Sequence, residues 1–83
     1  MPVMPMRKKI PYIVIPFDTT TDAMAMEAAC ADLGIPGRLI PLPREISAGC
    51  GLSWRIGIEE YEIFKSQIED LGLSMNRPVR LLI

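Results

Sequence analysis

The apolar positions of the chain fall into six patterned stretches separated by polar or proline-glycine breaks. Pro11 to Phe17 carries the unbroken run Tyr12-Ile13-Val14-Ile15 between prolines. An apolar run this short, β-branched and without alternation predicts a central strand buried on both faces. Pro16 marks where pairing stops on one side. Asp18 to Thr21 is a polar break, and Thr19 followed by Asp22 has the form of a capping box. A helix is predicted from there to Leu33. Ala23, Met26, Cys30 and Leu33 fall on one stripe, which should pack on the sheet. Gly34 then reads as the left-handed stop of that helix, with Ile35 as its hydrophobic partner.

Pro36-Gly37 turns the chain into a second strand, Arg38-Leu39-Ile40-Pro41-Leu42. Pro41 and Pro43 cannot donate to a ladder, so this strand belongs at a sheet edge. Leu52 to Ile58 alternates with period two and predicts a third strand, with Leu52, Trp54, Ile56 and Ile58 turned to the core. Glu59 to Leu71 predicts a second helix. Its first turn holds Glu59, Glu60 and Glu62, where the helix dipole favours negative charge. Tyr61, Phe64, Ile68 and Leu71 form its apolar stripe, and Gly72 ends it. Ser74 to Arg77 is a polar connection. Val79-Arg80-Leu81-Leu82-Ile83, entered through Pro78, is the last predicted strand.

The two halves echo each other. Asp32-Leu33-Gly34-Ile35 closes the first helix and Asp70-Leu71-Gly72-Leu73 the second, and Arg38-Leu39-Ile40 and Arg80-Leu81-Leu82 follow in turn. Strand, helix, glycine stop and strand, twice over, predict an α+β chain of ferredoxin-like βαββαβ form. Right-handed crossovers put both helices on one face of a four-stranded antiparallel sheet. The first strand of each unit then lies at the centre.

Composition narrows what such a fold could do. The chain has 83 residues, enough for one domain, read as a flexible tail over 1–10 and a single domain over 11–83. A formal net charge of −1 excludes a strongly basic nucleic-acid binder. The few aromatics do not interleave with lysine and arginine. No apolar run approaches the roughly 20 residues a membrane span needs, and Met1 to Lys9 lacks the apolar stretch of a signal peptide. The expected setting is cytoplasmic and reducing, so Cys30 and Cys50 are expected as free thiols. With no histidine and two cysteines, a four-ligand zinc site and a Ser-His-Asp or Cys-His triad are out of reach. No metal and no cofactor is expected. The chain is 49% hydrophobic with a mean hydropathy of +0.25, which is compatible with a homodimer.

The candidate chemistry gathers in Pro43-Arg44-Glu45-Ile46-Ser47-Ala48-Gly49-Cys50-Gly51. Here a nucleophile, a fixed cation and a pliable backbone come together. Glycines on both sides of Cys50 permit positive φ and close approach of another molecule. A thiol reacts as its thiolate, which a nearby cation or clustered backbone N–H groups stabilise. Three readings stay open: a tight turn in which the cysteine is incidental, a thiol active in group transfer, and an anion-binding loop. Ser47 also suits a turn-capping role. Cys30, on the apolar stripe of the first helix, reads as a small buried hydrophobe.

Ile40-Pro41-Leu42-Pro43-Arg44-Glu45-Ile46-Ser47-Ala48-Gly49-Cys50-Gly51-Leu52 resembles the signature of the selenium/sulfur carrier protein-like family of small prokaryotic proteins. That signature runs aliphatic-Pro-x-Pro-Arg-x-x-Ser-x-x-Cys-Gly. Phe17 at the end of the first strand, Ala23 and Glu27 in the first helix, and Gly34-Ile35 also fit. The resemblance implies a cytoplasmic carrier, more a delivery protein than a free-standing enzyme. Cys50 would hold sulfur or selenium as a persulfide or selenopersulfide. Arg44 would stabilise the anion, helped by backbone N–H groups around Gly49 and Gly51 and by Ser47. Donor and acceptor proteins would be its partners, with no nucleic acid and no membrane. Sulfur carriers of the Cys-Pro-x-Pro type differ, since no Cys-Pro occurs here. The other reading is a small anion- or protein-binding regulatory module without covalent chemistry.

Overall fold

The described residues form six elements in the order β1 (Pro11–Pro16), α1 (Thr20–Leu33), β2 (Arg38–Pro41), β3 (Leu52–Gly57), α2 (Ile58–Asp70) and β4 (Val79–Leu82). They are seen in a computed structural model that describes residues 9–46 and 50–83. The sheet order is β2-β3-β1-β4, and every neighbouring pair is antiparallel. This is the expected α+β arrangement of ferredoxin-like form. β1 and β3 are central, and the proline-bearing β2 lies at an edge. The predicted N-terminal tail falls outside the described residues as far as residue 8. Ile10, placed with that tail, exchanges backbone hydrogen bonds with Ile83 (3.4 and 3.0 Å) and so extends the ladder beyond β1 and β4.

Side chains on paired strands share a face, which sorts the sheet into two sides. Ile13, Ile15, Leu39, Trp54 and Ile56 face the helices, with α1 against β3 and β2 and α2 against β1 and β3. Ala23, Met26 and Cys30 of α1 and Ile68 of α2 close over them, joined by Phe17 and Ile35. Tyr12, Val14 and Arg55 lie on the other side, where the Arg55 guanidinium stacks 4.5 Å from the Tyr12 ring centre. The expectation that β1 is buried on both faces holds at its C-terminal half: Val14, Ile15 and Pro16 are all buried. Trp54 is buried with its one polar atom satisfied, since its indole N–H donates to the Pro36 carbonyl at 3.3 Å.

α1 starts as its sequence predicts. Thr19 is the N-cap and its hydroxyl accepts from the Asp22 backbone N–H at 3.1 Å. The box differs in its second half, because the Asp22 carboxylate accepts from the Thr19 hydroxyl instead of reaching the cap backbone. At the other end Gly34 takes φ 70°, and the Ile35 N–H closes back to the Cys30 carbonyl at 2.9 Å. That is the Schellman-type stop, and it turns Ile35 into the core.

Two expectations need correction. Leu33 does not join the core stripe and is 53% exposed. The sheet-facing arc of α1 ends at Cys30, and Ile35 takes the place Leu33 would have filled. Ile58 is not the last inward residue of β3 but the first residue of α2. The last β1–β3 pair is Tyr12 with Gly57, and the next would set Ile58 against Pro11, which has no N–H to donate. Glu60 meanwhile accepts from the Gly57 N–H at 3.2 Å and starts the helix there. The apolar stripe of α2 forms as predicted, with Ile68 buried and Tyr61, Phe64 and Leu71 packed against the core.

Candidate functional site

Cys50 ends the loop that joins the edge strand β2 to the central strand β3. The base of this loop is closed by a hydrogen bond from the Leu42 N–H to the Gly51 carbonyl at 2.8 Å. It is tied to the end of β1 from two sides. The Phe17 N–H donates to the Leu52 carbonyl at 3.2 Å, and the Cys50 N–H donates to the Phe17 carbonyl at 3.4 Å. Cys50 is half-buried, packs on the edge of the core, and carries its Sγ 3.8 Å from the Leu52 carbonyl oxygen. These hydrogen bonds hold Cys50 at the end of the two central strands.

Gly51 takes φ 77°, the left-handed conformation that a side chain disfavours, and lets the chain turn from Cys50 into β3. A Cβ added there would meet nothing within 4 Å, so the glycine serves backbone geometry, not close packing. Arg44 and Glu45 occupy the corner of a turn closed by the Ile46 N–H and the Pro43 carbonyl at 3.0 Å, and both are exposed. The hydrogen bonds described at Cys50 run to backbone groups of Phe17 and Leu52. Ser47 and Gly49, the other two residues expected to stabilise an anion, lie outside the described residues.

Cys30 is different in kind. It is 1% exposed in the core, and burial pushes its thiol from 9.0 up to about 11. Its reading as a buried hydrophobe holds. Both cysteines are free. Among the described residues no three carboxylate, cysteine or histidine groups come together as a metal site, and no helix is long and apolar enough to cross a membrane.

Sequence reasoning missed what lies on the other side of the β1 end. The Asn76 N–H donates to the Pro16 carbonyl at 2.9 Å, and its side-chain amide donates to Asp18 at the same distance. Successive carbonyls of a strand point to opposite sides. Phe17 thus holds Cys50 on the β3 side while Pro16 holds Asn76 on the β4 side. A groove of about 350 Å³ runs beside Asn76, floored by Ile15 and Ile68 and flanked by Tyr61, Leu73 and Met75. The stretch 74–77 reads in sequence only as a polar linker, and no local signal announces that it packs back on β1.

These features define a small α+β protein with one buried cysteine and one half-buried cysteine, the latter at the end of its sheet. The chain belongs to the family described as "Putative Se/S carrier protein-like", which it matches over residues 12–77, a range that includes the whole Cys50 loop. No match was found among curated proteins or among solved structures.

Proposed function

We propose that the protein carries sulfur or selenium as a persulfide or selenopersulfide on Cys50, in the cytoplasm, between a donor and an acceptor protein. The observation that carries this reading is the contrast between two thiols in a chain of this family. Burial keeps Cys30 protonated and out of reach, whereas Cys50 is held at a loop end with solvent on one side. Thiol exchange needs that access. Loading is an attack by the Cys50 thiolate on the terminal chalcogen of a donor persulfide. A bond from Cys50 to that atom forms, the donor's own bond to it breaks, and the donor leaves as a thiolate. Unloading is the same exchange with an acceptor thiolate. No electron is gained or lost overall, and no general base within the chain is required. Arg44, Ser47, Gly49 and Gly51 are proposed to stabilise the anionic terminal atom, Arg44 by charge and the glycines by presenting backbone N–H groups.

The test is intact-mass spectrometry after incubation with a small-molecule persulfide in the absence of reductant. The expected product gains one sulfur atom, mapped to the Cys50 peptide. Cys30→Ser keeps the gain and Cys50→Ser loses it, and Arg44→Ala slows loading. A folded wild-type protein that gains no sulfur on Cys50 would instead favour the regulatory binding module, whose function survives Cys50→Ser.

A further inference from the structure

The two edges of the sheet are guarded unequally. β2 carries Pro41, is followed by Pro43, and is entered through Gly37 and the charged Arg38, the residues that natural sheets use to block an edge. β4 is entered through Pro78 but has no proline or glycine within it, and Arg80 is its one charge. Among the described residues neither helix packs on it. Leu82 is 59% exposed there.

The hydrogen-bond parity of β4 can be worked out. Ile10 and Ile83 exchange both of their main-chain hydrogen bonds, so they are a closely bonded pair. In an antiparallel ladder such pairs recur at every second residue. The register makes Tyr12 with Leu81 and Val14 with Val79 the next ones. Val79, Leu81 and Ile83 therefore direct their N–H and C=O groups to β1. Arg80 and Leu82 direct theirs outward, where no described residue meets them.

We propose that this edge is where the chain pairs with a second copy of itself. β4 would run antiparallel to β4 of the second copy about a twofold axis, joining two four-stranded sheets into one. The outward groups select the register. Setting Arg80 opposite Arg80 of the second copy would oppose like charges. Setting Leu82 opposite Leu82 would leave the outward groups of Arg80 without a partner inside β4 of the second copy. Setting Arg80 opposite Leu82 uses every outward group of both strands. Leu81 then meets Leu81 of the second copy on the axis, and Val79 faces Ile83, on the side of the sheet away from the helices. On the helix side the aliphatic stem of Arg80 covers the exposed Leu82 of the second copy. The outward donors, the apolar row and the single charge all fit their own copy, which is why a second copy is the occupant. The inference does not rest on the chemistry of Cys50.

Sedimentation velocity together with cysteine cross-linking tests it, with Cys50→Ser as the background. The expected mass of the unmodified chain is twice 9.3 kDa. Leu81→Cys should form a disulfide-linked dimer on mild oxidation. Residues opposite each other in a non-hydrogen-bonded pair have Cα atoms about 4.5 Å apart, within disulfide range. Val79→Cys and Arg80→Cys should not cross-link to themselves. Leu82→Pro removes an outward N–H without touching the β1 ladder and should give a folded monomer. Leu81→Glu, which sets two carboxylates face to face, should do the same if the proline variant fails to fold. A monomeric wild-type chain at micromolar concentration overturns the proposal. So does a dimer that survives both variants while Leu81→Cys fails to cross-link.

Discussion

Raising the pH should destabilise the protein through Cys30, by an amount the burial of that thiol sets. The folded chain holds the Cys30 proton up to about 11, against 9.0 for an ordinary thiol. Between those values the unfolded chain has released its proton and the folded chain has not. The contribution of Cys30 to stability is therefore fully present below 9.0 and is lost as pH rises toward 11. At about 1.36 kcal/mol per pH unit of separation, the loss amounts to about 2 to 3 kcal/mol. Against a total of roughly 5 to 15 kcal/mol for a domain, that is a large fraction.

The assay is urea denaturation at a series of pH values, comparing Cys50→Ser with the double variant Cys30→Ala/Cys50→Ser. Removing the buried sulfur should cost about 1 kcal/mol at neutral pH, from the apolar surface lost. The Cys30 protein then starts as the more stable and loses its advantage as pH climbs past 9.0, so the two curves meet and cross. Every other charged group is common to both proteins and cancels in the comparison. Curves that stay parallel over the whole interval would refute the argument, because they would mean that Cys30 is as free to ionise in the fold as out of it. The same displacement leaves Cys30 with about a hundredfold less thiolate at neutral pH than an ordinary thiol. Iodoacetamide should label Cys30 only as fast as the chain unfolds.

Two backbone and polar details give sharper tests of the fold. At Gly37, φ is 120°, and an added Cβ would run into the Trp54 indole and lie 2.7 Å from the Arg55 carbonyl oxygen. Gly37→Ala should cost about 2 to 5 kcal/mol, from left-handed strain and overpacking together. Gly34→Ala, with nothing within 4 Å of the new carbon, should cost only about 1 to 2 kcal/mol. Equal losses in thermal or urea unfolding would show that the Trp54 contact does not restrict Gly37. Ser53 is 0% exposed, and among the described residues its hydroxyl has no hydrogen-bond partner. Ser53→Ala should therefore raise stability by about 1 kcal/mol, by removing an unsatisfied buried group. A clear loss in the same assay would mean that the hydroxyl is bonded in the folded protein.

Much of the fold was legible because each element carried its own punctuation. Thr19 caps α1 and Gly34 stops it, Gly72 follows α2, and the prolines of 41 and 43 put β2 at an edge. What the pattern could not supply was anything decided by pairing register. Ile58 continues the alternation of Leu52, Trp54 and Ile56, yet it begins α2, since the ladder with β1 runs out at Tyr12 and Gly57. Leu33 continues the stripe of Ala23, Met26 and Cys30, but it is the last residue of α1 and stays exposed, while the turn at Gly34 brings Ile35 into the core. Asn76 gave no signal because its partners are carbonyl and carboxylate groups some sixty positions away in the chain, brought near by the β1–β4 pairing alone.

The same distinction bears on the thiol. Residue types alone suggested that Arg44 was the group most able to tune Cys50, since charge acts on a thiolate more strongly than a neutral dipole does at equal distance. In the structure Arg44 stands exposed at a turn corner, where solvent screens its charge. The groups fixed beside Cys50 belong to the strand ends, its own N–H bonded to Phe17 and its sulfur near the Leu52 carbonyl. The thiol can donate to that carbonyl oxygen at 3.8 Å, whereas among the described hydrogen bonds none joins Cys50 to Arg44. An exposed guanidinium acts through solvent, so its effect on loading should depend on salt. Arg44→Ala should therefore slow loading of Cys50 from a small-molecule persulfide at low ionic strength, and the gap to wild type should close at about 1 M salt, where the screening length falls to about 3 Å. Equal loading rates at low salt would mean that Arg44 is a solvated charge with no part in the exchange.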